Sequence, residues 1–154
     1  MQTADREFHR KTAVECFNRT WDYLEKKDRT VHDDHLMLHL AHTSRYHWSF
    51  VGTPRNLAIG DWQVSRVYAA LAQSDLSVHF ARASLEIVEK NNIVDMVPTA
   101  FEAMARAFAC GRNYKLARDF IERAKKELQT VSLDEEDKRL YSSQIRDTEA
   151  MIKS

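Results

Sequence analysis

Three segments of this 154-residue chain carry one pattern at a spacing of 40 residues. Leu36, Leu40, Ala41 and Ser44 recur as Leu76, Phe80, Ala81 and Ser84. They recur again as Leu116, Phe120, Ile121 and Ala124. A unit of that length cannot bury its apolar face alone, and stacking on its neighbours buries it. The repeat therefore points to stacked helical hairpins rather than to a closed enzyme core. Only 3 glycines and 2 prolines are present, fewer than the turns of a sheet protein usually need, so an all-α fold is expected.

Apolar spacing and capping residues divide the chain into about seven helices. The first runs from about Asp5 to Lys27, with Val14, Phe17, Trp21 and Leu24 on one face. Thr30 with Asp33 forms a capping box for the second, which ends near Phe50, and Gly52 suits a left-handed exit. Thr53-Pro54 opens the third helix, and Ser74 or Asp75 caps the fourth. Asp95 is expected to cap the fifth, Gly111 to end it and Asn113 to cap the sixth. Ser132 with Glu135 reads as the capping box of the last. Short connections make sequential helices antiparallel neighbours. The expected organisation is one domain of three antiparallel pairs, about 5–52, 53–92 and 93–131. A mostly polar capping helix follows at about 133–152.

The first helix of each pair repeats too: Val64, Ser65, Tyr68 and Ala69 match Met104, Ala105, Phe108 and Ala109. Small residues (Ser65/Ala105, Ser77/Ala117) let two backbones approach while Tyr68/Phe108 fill the gap between them. The opening helix fits if the first connection is seven residues longer, matching Phe17, Asn18 and Trp21 to Val64, Ser65 and Tyr68. This large–small alternation resembles the tetratricopeptide-repeat family. Tyr68, Ser77, Ala81 and Ser84 carry the resemblance in one repeat. Phe101, Met104, Ala105, Phe108, Ala117, Ile121 and Ala124 carry it in the next. The longer period, and Asp61 where a large residue is usual, depart from the family pattern. The resemblance implies a short right-handed solenoid that binds a protein or peptide without catalysing a reaction.

In such a stack the first helices line the concave face, which would present Arg19, Arg66 and Arg106 in a row. Guanidinium forks suit an acidic group on a partner. Trp62, one turn before Arg66, can stack on it. Glu15 and Glu102 stand four residues before Arg19 and Arg106 and are placed to neutralise them, whereas Arg66 has no such acid. Arg66 and Trp62 are therefore the leading candidates.

The second helix carries His32, His35, His39 and His42 along one side. His35 and His39, one turn apart, could chelate a metal if a third ligand such as His9, Asp33 or His79 came from elsewhere. The segment His39–Trp48 also resembles a helix of the metal-dependent, damage-inducible type of four-helix bundle. That resemblance implies a metal-binding bundle or enzyme as the second reading, and a partly exposed polar helix face is the plainer one. A third reading has the apolar sides pair two copies as a homodimer.

The rest of the sequence sets limits. Basic and acidic residues balance at 23 each, which argues against nucleic acid as the partner. Cys16 and Cys110 stand far apart outside any CxxC pair, as reduced cytoplasmic thiols would. No secretory leader, membrane-length apolar run, phosphate loop, GxSxG or HExxH motif is visible, so a cytoplasmic chain needing no cofactor is expected.

Overall fold

In the computed structural model, which describes residues 1–153, the chain forms α1 (Thr3–Leu24), α2 (Val31–Val51), α3 (Pro54–Ala70) and α4 (Ser74–Lys90). A 3-10 turn at Val94–Met96 leads into α5 (Val97–Cys110), α6 (Tyr114–Thr130) and α7 (Glu135–Met151). No strand occurs among the described residues. The tightest packing joins α1 with α2, α3 with α4 and α5 with α6. Each pair then packs on the next, α2 against α3 and α4 against α5, and α7 lies on α5 and α6. The odd-numbered helices form an inner row in which α3 touches α5 and α5 touches α7.

Equivalent residues of the second and third pairs meet equivalent surroundings. Tyr68 stacks on Phe80 at 5.7 Å and Phe108 on Phe120 at 5.8 Å, with interplanar angles of 12° and 16°. Ser65 and Ser77 each donate a hydroxyl to the other's carbonyl at 2.8 Å, and Ala105 and Ala117 are buried at the matching positions. Both hairpins turn alike. Gln73 N–H donates to Tyr68 O and Asn113 N–H to Phe108 O, with Ala72 (φ 57°) and Arg112 (φ 62°) in the left-handed region. Met104 is covered between the second and third pairs and Ile121 among α5, α6 and α7, each worth about 1.5–3 kcal/mol of burial.

The first pair follows the same plan with one correction. Ser44 Oγ donates to Ala13 O, 31 residues back, as Ser84 Oγ donates to Ala58 O, 26 residues back. The first connection is thus five residues longer, not seven. Ala13 matches Ala58, and Trp21 rather than Arg19 falls at the level of Arg66.

Several caps also differ from expectation. Gly52 leaves α2 extended (φ −81°, ψ 160°). Gly111 ends α5 as expected, with φ −90°, and is small because an added Cβ would lie 2.3 Å from Ser74 Oγ, which donates to Ala107 O. Ser74 is therefore spent on that contact between pairs and caps nothing. Asp134 rather than Ser132 caps α7, accepting from Asp137 N–H at 2.7 Å. Asp95 does not cap α5 but grips Arg55 with both oxygens, at 2.9 and 2.7 Å. Gly60 makes room for Arg45, whose Nε reaches the buried Asp61 at 2.9 Å. That ion pair explains the unusual acid at this position of the repeat.

Candidate functional site

The four odd-numbered helices surround one cleft of about 430 Å³. Phe17 and Trp21 reach it from α1, Ile59 and Trp62 from α3, and Leu140 and Tyr141 from α7. Helices α1 and α7 face each other across it without packing together. The α3 wall is fixed to α1 by Gln63, whose amide donates to Phe17 O at 3.0 Å. Burial and the carboxylates of Asp137 and Asp95 push the Tyr141 phenol up to about 12, so it stays a neutral hydrogen-bond donor. Arg55 also reaches the cleft, but Asp95 compensates its charge.

A second, more polar cleft of about 320 Å³ adjoins the first, with Trp21 and Glu25 on the border between them. Arg66 and Arg106 line it. The Arg66 guanidinium lies 5.2 Å from the Trp21 ring and 5.7 Å from the Trp62 ring, and the two indoles are 5.9 Å apart. No carboxylate among the described residues comes within ion-pairing distance of it. Its Nη1 and the Trp62 Nε1 are both buried without a hydrogen-bond partner. Desolvation, reinforced by the Arg106 charge, pushes Arg66 down to about 10.

Arg106 is held differently. Its Nε donates to Glu102 Oε1 at 2.9 Å, and its Nη2 lies 2.7 Å from the same oxygen. Glu102 is 1% exposed and also accepts from Thr148 Oγ1 of α7 at 2.6 Å. The buried Glu102 carboxylate thus pairs with Arg106, and Arg66 is left without an ion-pair partner, with Glu102 and Asp147 acting on it only from a distance. Buried charge of this kind is costly unless something pairs with it. A carboxylate or phosphate entering the polar cleft would give Arg66 the ion-pair partner it lacks, and an attached apolar group would fill the larger cleft.

Of the expected arginine row, Arg66 and Arg106 come together and Arg19 does not. Arg19 is exposed on α1, lines neither cleft, and makes no ion pair with Glu15, which approaches Lys11 at 4.0 Å instead. Trp62 stacks on Arg66 as the spacing suggested. Trp21, Tyr141 and Glu102 are the cleft-lining positions that the sequence reading did not single out. Trp21 was recoverable from its apolar face on α1, had the first connection been aligned five residues longer.

His35 and His39 are exposed on α2, and no group of three His, Cys, Asp or Glu side chains among the described residues is placed to hold a metal ion. His42 instead hydrogen-bonds the Tyr68 hydroxyl at 2.8 Å, and burial lowers its pKa. His9 meets His47, not His35 or His39. The thiols of Cys16 and Cys110 are unpaired, and burial raises the pKa of each. No helix is long and apolar enough to cross a membrane among the described residues. No protein-family model, curated protein or solved structure matches the chain.

Proposed function

We propose that the chain is a non-catalytic, tetratricopeptide-like binding module of the cytoplasm. Its inner row of helices takes a peptide segment of a partner protein. The recognised feature is a carboxylate beside a bulky apolar side chain. The observation that carries this reading is the Arg66 guanidinium, which lies against the Trp21 and Trp62 rings with no ion-pair partner, in the polar cleft that adjoins the apolar one. Indole faces orient the fork and remove water from it, which strengthens its attraction for an anion. Tyr141 and Trp62 Nε1 add neutral donors, and Arg106 adds a second cation already held in place.

The test uses defined peptides. Acetylated tetrapeptides ending in Leu or Phe are titrated as free acids and as amides, and tryptophan fluorescence is read. Binding of the acids at least tenfold tighter than the amides, lost in Arg66→Met, supports the reading. Equal binding of acid and amide, or binding untouched by Arg66→Met, removes it.

A further inference from the structure

Phe17 and Ile59 belong to two spaces at once. They line the apolar cleft, and they also line a hollow of about 190 Å³ whose other walls are Val14 of α1, Trp48 of α2 and Asn56 of α3. Three spaces therefore follow one another along α1. The polar cleft lies beside Trp21 and Leu24, the apolar cleft beside Phe17 and Trp21, and the hollow beside Val14 and Phe17. These four residues share one face of the helix. Val14 is 43% exposed on it, a branched aliphatic side chain that the fold leaves uncovered.

We propose that the hollow takes a second apolar side chain of the bound peptide, so that the groove reads the end of a partner chain with bulky apolar residues at its last and third-from-last positions. This rests on the carboxylate reading of Arg66 given above. Between the apolar cleft and the hollow the α1 wall shifts by one helical turn, about 5.4 Å. Alternate side chains of an extended peptide share a face and lie about 6.6–6.8 Å apart, close to that step. Adjacent side chains point to opposite faces, so the second-last residue turns outward. A terminal carboxylate and the last side chain leave the same Cα and can enter two adjoining clefts together. With its carboxylate at Arg66 the peptide runs parallel to α1, which brings its third-from-last residue level with Val14.

The walls of the hollow fit this occupant. A void of about 150 Å³ is enough for benzene, so an isobutyl or phenyl group has room in 190 Å³. Asn56 Oδ1 accepts both the N–H and the hydroxyl of Thr53 at 3.0 Å, which leaves its Nδ2 to donate to a peptide carbonyl. Arg10, one turn before Val14, lies 5.9 Å from the Trp48 ring and borders the far end of the groove.

The experiment uses acetylated tetrapeptides and calorimetry. The sequence Ser-Leu-Ser-Leu, as the free acid, is expected to bind about fivefold or more tighter than Ser-Ala-Ser-Leu. It should exceed by a similar factor the isomers Leu-Ser-Ser-Leu and Ser-Ser-Leu-Leu, in which the inner leucine is moved by one position. Val14→Trp fills the hollow from an exposed position, and should erase the Leu-over-Ala difference while keeping the preference for acid over amide. The unmodified chain gives a second readout. The Trp48 indole N–H signal should move with Ser-Leu-Ser-Leu, in addition to those of Trp21 and Trp62, and stay in place with Ser-Ala-Ser-Leu. Equal binding of the Leu and Ala peptides, equal binding of the isomers, or a Leu-over-Ala difference that survives Val14→Trp overturns this proposal while acids still bind tighter than amides. Acids and amides binding alike removes the carboxylate reading, and this proposal with it.

Discussion

Arg66→Met should make the protein more stable while abolishing the proposed carboxylate binding. Methionine keeps an unbranched stem beside the two indoles and removes the charge and the fork. The depression of Arg66 to about 10, from the usual guanidinium range, corresponds to roughly 3 kcal/mol of disfavoured charge at about 1.4 kcal/mol per tenfold. Against that stands cation–π attraction to Trp21 and Trp62, about 0.5–1 kcal/mol for each ring. Nη1 has no partner to orphan, so no hydrogen-bond penalty follows at that atom. The net expectation is a gain of roughly 1–2 kcal/mol. The sign with pH is fixed. A base whose folded pKa is lowered carries its full cost below that pKa, so an assay at pH 7 reads all of it. Urea denaturation at pH 7 measures the difference from the midpoint at constant slope. A binding group maintained at the expense of stability is what a functional charge predicts. A loss of more than about 1 kcal/mol in Arg66→Met would refute the reasoning, because the guanidinium would then be structural.

Three further outcomes are expected. Glu102→Ala leaves Arg106 and Thr148 without their shared acceptor at a site 1% exposed, and should cost about 3–5 kcal/mol in denaturant titration. Ala72→Gly relieves a left-handed alanine (φ 57°) in an exposed turn and should raise stability by about 0.5–1 kcal/mol, read the same way. Burial lowers the His42 pKa, so the folded chain binds fewer protons there than the unfolded chain. Stability from this group should fall as pH drops below about 6.5, and His42→Leu should flatten that limb of the pH–stability curve.

The 40-residue period revealed the helix pairs because it reflects packing that repeats in register. Tyr68 and Phe108 stack alike because each faces an aromatic of its own hairpin partner, and the distance between those partners is set by local chain length. What escaped was set by non-local geometry. Glu15 and Glu102 have the same four-residue step to an arginine, yet only Glu102 is covered, because α5 has neighbours on both sides and α1 is terminal. The α7 residues enter the cleft through the curvature of the stack, which no spacing along one helix encodes. The length of the first connection was equally invisible until the Ser44–Ala13 and Ser84–Ala58 hydrogen bonds fixed the register. The histidine stripe looked like a chelate because helical spacing says which side chains share a face. It does not say what stands opposite, and His47, set apart from the stripe, is the one that finds a partner in His9.

The most direct test of the proposed carboxylate site at Arg66 is an NMR titration of the unmodified chain. The indole N–H signals of Trp21 and Trp62 and the Arg66 Nε–H are followed as an acetylated Leu- or Phe-ending tetrapeptide is added. With the free acid, all three signals should move together to saturation, and with the matching amide they should stay in place. Coincident shifts with both peptides, or movement at Trp48 in place of these three, would contradict the account.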